Sequence, residues 1–409
     1  MHYDALETRS SQERERELMA KLASQLAHAK ASAPFYGELL ASVDPHDVTS
    51  RGALAALPIT RKSQLVEYQR ARPPFGGLAA APSAKLARIF MSPGPIYDPE
   101  GREPDFWRTA RALFAAGFRE GDVALNCFSY HFSPAASMFE TGLHHLGCAV
   151  IPAGTGQTEM QVRAIQDLRP TGYVGTPSFL KIILEKAAEL GVECDSMRRA
   201  IVSGEAFMPA VREFLSGRRI EAYQAYGTAD LGVIAYETPA REGLMVSEEI
   251  ILEIVRPGTG DPVPEGEVGE VVVTTFNRDY PLVRFATGDL SAVLPGTSAC
   301  GRTNVRIKGW MGRADQATKV RGLFVHPHQV AEVLRRHGLA RGRLVVANEA
   351  GEDRMTLRVE RAGGADADLA ARIEATLRDV SKLRGEVRFE GPGALPNDGK
   401  VIEDRRKVD

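Results

Sequence analysis

VALNCF, Val123 to Phe128, opens with Val123-Ala124-Leu125, the first of several short apolar runs that recur between helix-like stretches from Phe106 onward. The others are Ala149-Val150-Ile151, Gly172-Tyr173-Val174 and Ala200-Ile201-Val202. Alternation of such runs with helical stretches predicts an α/β fold with a mostly parallel sheet, whose sites lie at the carboxyl ends of the strands. Toward the N-terminus, Leu18, Leu22 and Leu26 recur at helical spacing until Pro34, and Pro34-Phe35-Tyr36 begins a new segment. Toward the C-terminus the pattern changes. Ile250-Ile251-Leu252-Glu253-Ile254-Val255, a turn at Pro264-Glu265-Gly266-Glu267, and Val271-Val272-Val273-Thr274 predict hairpin-like β structure. Past Gly312-Arg313 a compact tail follows, with helices near Pro327 to Arg336 and Asp366 to Leu383 and strands around Arg343 to Val346 and Met355 to Val359. The boundary is expected at Asp315, dividing the chain into domains of residues 1–314 and 315–409.

A length of 409 residues suits one large domain with an appended smaller one. The formal charge of −2 supplies no global attraction to nucleic acid or to an anionic membrane, so neither is expected as a partner. Cys127, Cys148, Cys194 and Cys300 are scattered, with no CxxC pair and no histidine at metal-ligand spacing, and are read as buried or free thiols. The stretch Arg9 to Glu17 lacks the apolar run of a signal peptide, and no later run approaches membrane-spanning length. A cytoplasmic protein is expected.

Four segments can carry chemistry. PLVRFATGDL, Pro281 to Leu290, ends an apolar run in a turn that presents Asp289; a carboxylate there can accept both vicinal hydroxyls of a ribose, or simply close a hairpin. GRADQATKVRGLFVHPHQV, Gly312 to Val330, sets Arg313, Lys319 and Arg321 around Gly322, either as a phosphate or coenzyme contact or as a solvated basic loop. LPNDGK, Leu395 to Lys400, places a lysine at the end of a polar turn; in isolation it is a surface lysine, while over an α-phosphate it would offset developing charge. AYGTADLG, Ala225 to Gly232, offers Tyr226 to a base or substrate ring and Asp230 to Mg²⁺, or is only a strand-end turn.

In this order and spacing, the four segments resemble the core motifs of the adenylate-forming acyl-CoA synthetase superfamily, and specifically its phenylacetate-CoA ligase branch. APFYGELL (Ala33 to Leu40), LPITRKSQL (Leu57 to Leu65), AVIPAGTGQTEMQ (Ala149 to Gln161), GTPSFL (Gly175 to Leu180) and VPEGEVGEVVVTTF (Val263 to Phe276) extend the similarity over nearly the whole chain. The resemblance implies a large N-terminal domain of mixed and parallel sheets with a small mobile α+β C-terminal domain. It implies activation of a carboxylic acid with ATP and Mg²⁺, transfer to coenzyme A and release of AMP. Position by position, Asp289 matches the ribose-binding aspartate, Arg313 the arginine reaching ribose or phosphate, Asp315 the hinge, and Lys400 the lysine of adenylation. The stretch Tyr223 to Gly227, with Gln224, Ala225, Tyr226, Gly227 and then Thr228, is expected against adenine and acid, and Ser203-Gly204-Glu205 beside it. Lys319, Arg321 and Gly322 match the face that turns toward coenzyme A.

The chain departs from this pattern in places. The phosphate loop, usually rich in Ser, Thr and Gly and ending in Lys, is here Phe90-Met91-Ser92-Pro93-Gly94-Pro95-Ile96-Tyr97, where Pro93 and Pro95 each remove an amide donor and Ser92, Gly94 and Tyr97 remain to compensate. Ala229-Asp230 stands where a hydroxyl residue and Glu are usual, shortening the reach to Mg²⁺ by one methylene. Ala299-Cys300-Gly301-Arg302 keeps one thiol of a metal-binding cluster found in some relatives, so no structural zinc is expected. Tyr130-His131-Phe132, with Tyr226, suit an apolar pocket for an aryl or arylacetic acid, or are core rings. Alternatives are a synthetase with a carrier-protein or amine acceptor, or a nucleotide- or acyl-binding protein that has lost catalysis. A homodimer is the assembly considered.

Overall fold

The computed structural model describes residues 1–92, 95–257, 259–314, 318–320, 323–325, 327–349, 352–363, 366–396 and 400–406. The chain falls into two compact units: Met1–Glu267, Val271–Thr287 and Ser291–Trp310 form the first, and Val268–Glu270, Gly288–Leu290 and Met311–Asp409 the second. Asp315, the expected boundary, lies outside the described residues.

The N-terminal helix runs over Ser11–Ser32. Ser10 caps it by accepting from the Glu13 amide, and Ala33, extended ahead of Pro34, ends it. Its apolar stripe of Leu18, Leu22 and Leu26 is buried, as the spacing predicts. Strands then follow in chain order: β1 (Thr60–Arg61), β2 (Arg88–Ser92), β3 (Ile96–Glu100), β4 (Val123–Asn126), β5 (Ala149–Pro152), β6 (Gly172–Gly175), β7 (Arg199–Val202), β8 (Glu221–Thr228), β9 (Gly232–Glu237), β10 (Leu244–Val246), β11 (Ile250–Val255), β12 (Gly269–Thr275), β13 (Phe285–Ser291), β14 (Val293–Leu294) and β15 (Arg306–Ile307).

The largest sheet has the order β14-β15-β10-β9-β8-β7-β6-β4-β5. Strands β4 to β8 are parallel, and they include all of the apolar runs that suggested an α/β fold. Antiparallel pairings of β8 with β9, β9 with β10 and β10 with β15 extend the sheet, making it mixed. Period-two alternation sends side chains to opposite faces. Val174 and Ile201 join Phe139 and Leu143 on one side; Tyr173, Ala200 and Val202 join Leu180, Ile183 and Leu215 on the other. Full burial of each of the larger aliphatic side chains stabilises by about 1.5–3 kcal/mol, which explains why runs of only four residues persist as strands. Because β5 and β6 flank β4 on opposite sides, the connections reverse direction there, opening a crevice at the carboxyl ends.

A second sheet has the order β1-β13-β12-β11, so the two β segments expected as a hairpin, β11 and β12, are indeed neighbours. In it β1 lies parallel to β13, with Thr60 opposite Phe285 and Arg61 opposite Ala286. A separate antiparallel ribbon joins β2 to β3, with Phe90 opposite Asp98 and Ser92 opposite Ile96. Its turn contains the atypical phosphate-loop stretch, of which Pro93 and Gly94 lie outside the described residues.

The second unit continues with β16 (Thr318–Val320), β17 (Leu323–Val325), a helix over Pro327–Arg336, β18 (Gly342–Glu349), β19 (Glu352–Glu360), a helix over Ala367–Ser381, β20 (Glu386–Glu390) and β21 (Ile402–Asp404). Strands order as β20-β19-β18-β21, antiparallel at the centre and parallel at both edges, while β16 and β17 form a small hairpin. Leu344, Val346, Leu357, Val359, Ile373 and Leu377 make one apolar core. Asp366 caps the second helix, accepting from the Leu369 amide at 2.9 Å. The sequence reading found β18 and β19 but not the edges. Glu386-Val387-Arg388-Phe389-Glu390 has only two apolar residues, and β21 is three residues long, so neither carries a strong local signal. Among the described residues no helix is long and apolar enough to cross a membrane.

Candidate active site

Strand ends of the first unit gather several of the expected residues. Beyond β7, the Ser203 amide donates to the Gly175 carbonyl at 3.1 Å, and its Oγ donates to the Ala225 carbonyl at 2.8 Å, tying β6, β7 and β8 together. Gly204 adopts a left-handed φ of 86°, which turns the chain back, and Glu205 accepts from the Ser178 amide at 2.7 Å in the first turn of the helix Pro177–Glu189. Ser203-Gly204-Glu205 and the GTPSFL segment therefore meet, although 27 residues separate Ser178 from Glu205.

On β8, Gln224 donates its amide to Glu237, and Tyr226 is buried with its hydroxyl 3.4 Å from that of Thr287. A register shift follows between Tyr226 and Gly227. A Cβ at Gly227 would come within 2.5 Å of the Gly232 carbonyl oxygen, so only glycine fits this bend without displacing backbone. Thr228 then accepts from the Leu231 amide at 3.2 Å, closing the turn that holds Asp230.

Asp230 is enclosed. Its side chain has no exposed surface, and its Oδ2 is ion-paired with Lys62 Nζ. The Asp98 side chain, on β3, lies beside it. Asp98 Oδ1 and Oδ2, Asp230 Oδ1 and the Tyr280 hydroxyl are all buried without a hydrogen-bond partner. Burial pushes the Asp98 carboxyl well above the usual range, the neighbouring Asp230 charge adds to the rise, and Ser92 and Lys62 oppose it. Tyr280 is likewise raised by burial and then by the two carboxylates. Among the described residues no three His, Cys, Asp or Glu side chains converge to hold a metal. Asp230 Oδ1 is a hard oxygen ligand without a partner, a donor set that suits Mg²⁺ arriving with phosphate ligands better than a resident ion.

Asp289 and Arg313 meet within the second unit. Their backbones form an antiparallel bridge, and Arg313 Nη1 donates to Asp289 Oδ1 at 3.3 Å. Leu290 donates to Gly312 at 2.9 Å, and Ala314 to Gly288 at 2.6 Å. Gly288 has φ 78°, a left-handed backbone that favours glycine, and a Cβ there would come within 3.0 Å of Arg313 Nη2. Asp289 is nearly buried, while the Arg313 side chain is half exposed.

Tyr130, His131 and Phe132 are exposed at a loop after β4. Tyr130 donates to Glu140 at 2.6 Å and accepts from Asn126 at 3.0 Å; burial of its hydroxyl, then Glu140, raises its pKa. Phe132 has φ 59° and accepts through its carbonyl from the Met91 amide at 3.0 Å, which seats this loop against the phosphate-loop ribbon. Ser92 ends β2, buried, with its Oγ 3.4 Å from the Ile96 carbonyl. In the second unit Lys400 is exposed just before β21, and the backbone of Lys319 lies in β16; Arg321 and Gly322 fall outside the described residues.

Sequence reasoning did not single out Lys62 or Asp98 as site residues. Along β3, Ile96, Asp98, Pro99 and Glu100 are buried and only Tyr97 is exposed, so no two-residue alternation marks Asp98 as facing inward. Lys62 lies within LPITRKSQL, but its acidic partner is 168 residues away.

A family model for AMP-binding enzymes matches residues 106–277. The chain is 34% identical over 331 residues to a phenylacetate-coenzyme A ligase of Thermus thermophilus, covering 77% of this chain and 73% of that one. It is 31% identical over 361 residues to a phenylacetate-coenzyme A ligase of Aromatoleum evansii, covering 84% and 80%. Among solved structures, 2-hydroxyisobutyryl-CoA ligase in complex with 2-HIB-AMP and CoA in the thioesterification state matches with a TM-score of 0.72 at 24% identity, over 98% of this chain and 92% of that chain. That likeness concerns the fold. Identity with curated relatives over most of both chains, joined to strand-end motifs that the structure brings together, establishes that the chain belongs to the phenylacetate-coenzyme A ligase family of adenylate-forming, AMP-binding enzymes.

Proposed function

We propose that the protein activates an aryl or arylacetic acid with ATP and transfers the acyl group to coenzyme A. The carboxylate oxygen attacks the α-phosphorus, the bond to pyrophosphate breaks, and an acyl-adenylate forms. The thiolate of coenzyme A then attacks the acyl carbon, and AMP leaves. The observation that carries this reading is the Asp289–Arg313 pairing: a nearly buried carboxylate able to accept two ribose hydroxyls beside a guanidinium able to reach phosphate.

Tyr226 packs near the base and acid, and Ser203, Gly204 and Glu205 shape the adjoining wall. Tyr130, His131 and Phe132 border the acid pocket. Asp230 would hold Mg²⁺ through Oδ1, and the ion supplies neutralisation of phosphate charge when bound. Lys400 offsets the charge that develops at the α-phosphate. The C-terminal domain then pivots at Asp315, withdrawing Lys400 and presenting Lys319, Arg321 and Gly322 to coenzyme A. A cytoplasmic homodimer is part of the proposal: four free cysteines suit a reducing compartment, and sedimentation of the purified protein checks the assembly.

Pyrophosphate release with a panel of aromatic and short-chain acids tests the first step, and addition of coenzyme A separates a ligase from a synthetase with another acceptor. Lys400→Ala is expected to lower adenylate formation by roughly 10²–10³-fold while sparing thioester formation from supplied acyl-AMP. Equal loss of both half-reactions removes Lys400 from the role assigned here.

A further inference from the structure

We infer that Lys62 is the cation that meets the terminal phosphates of ATP, in place of the lysine this phosphate loop lacks; the inference rests on the adenylating function proposed above. Terminal phosphates carry several negative charges, and the loop has little to offer them. Pro93 and Pro95 donate no amide hydrogens, and Tyr97 stands where a loop lysine would end the motif.

Lys62 is placed to make up the deficit. It follows directly after β1, whose last residue, Arg61, lies opposite Ala286 on β13, immediately before Thr287. Thr287 in turn contacts Tyr226. Lys62 is thus tied through Asp230 to the turn that follows β8, and through its neighbour Arg61 to β13. Its ammonium reaches Asp230, and its charge is felt by Asp98 on β3, two residues from the position that closes the phosphate-loop ribbon opposite Ser92. The Lys62 side chain keeps 21% of its surface exposed, whereas that of Asp230 keeps none, so of the two partners only the lysine reaches solvent. Asp230 fixes where the ammonium points, limiting the rotamer freedom a long lysine would otherwise lose on binding. An ammonium has three donors and can serve a phosphate oxygen while remaining on its carboxylate.

A purely structural ion pair would stabilise the fold without distinguishing nucleotides. The test is therefore a ratio, measured by calorimetry on the full chain with AMP and with the non-hydrolysable α,β-methylene analogue of ATP. Lys62→Met is expected to weaken the ATP analogue by about 10- to 100-fold, the range of one charge-assisted hydrogen bond, while AMP affinity moves by less than about twofold. Lys62→Arg keeps the charge and recovers part of the loss. An unchanged ratio of the two affinities in Lys62→Met overturns the inference. Wild-type protein that binds neither nucleotide overturns the adenylating function itself, so the two failures are distinct. If Lys62→Met does not fold, because Asp230 is left buried without its partner, Lys62→Gln in an Asp230→Asn background compared with Asp230→Asn alone reads the same ratio.

Discussion

In the first unit, Arg284 and Glu253 pair with side chains 2% and 6% exposed, and Arg302 and Glu7 with 3% and 0%; in the second unit, Arg335 meets Glu332 at 73% and 30%, and Arg354 meets Glu386 at 54% and 56%. Arg284 illustrates what burial demands. It donates to both oxygens of Glu253 and to the carbonyls of Ala55, Leu57 and Gly260, so every direction of its guanidinium is committed. A buried pair gains little net stability over apolar packing but is intolerant of losing one partner, whereas an exposed pair is screened by water. Arg284 thus ties β11 to the Ala55–Leu57 segment and to Gly260, whereas the exposed pairs of the second unit lie outside its apolar core around Leu357.

The largest effect that would sharpen this contrast is on Arg284→Met, which strands Glu253 in the interior and should cost the first unit about 3–5 kcal/mol. Urea unfolding followed by fluorescence reads it, since Trp107 and Trp310 both belong to that unit; a cost below about 1 kcal/mol would break the comparison. Next, Leu357→Ala should destabilise the second unit by about 2–4 kcal/mol through the cavity it leaves, seen by circular dichroism, with the fluorescence transition unmoved. Coincident shifts in both signals would mean that the units do not unfold separately.

A smaller effect concerns pH. Burial raises the Asp105 carboxyl above its usual range, although the amides of Ala110 and Thr109 and the Thr109 hydroxyl pull it down. The folded chain then holds this proton to a higher pH than the unfolded chain does, so Asp105 subtracts stability as pH rises from about 4 toward its raised value. Asp105→Asn should flatten that part of the stability profile, and an unaltered slope would show that Asp105 is not the group responsible. Smallest of all, Glu332→Gln removes exposed pairs to Arg335 and Arg336, which water and salt screen, and should leave the midpoint of thermal melts unmoved.

Much of this architecture was legible because its signals are local. The N-terminal helix announced itself by leucine spacing, and the parallel strands by apolar runs between helices. The Asp289 turn was legible as a turn, but its union with Arg313 required the chain to return after 24 residues. The β20 and β21 edges were not legible, because edge strands that bury few side chains need little apolar pattern. Nor was the Lys62–Asp230–Asp98 cluster, for which one lysine among surface cations gives no warning.

The order of amino acids by itself determined periodicity, turn chemistry and the family motifs, since these depend on neighbours along the chain. Only the tertiary structure decided that Lys62 would lie against Asp230 and that Asp98 would lose its access to water. Charges acquire their partners and their solvation from whatever packs around them, and that is settled by segments far apart in sequence.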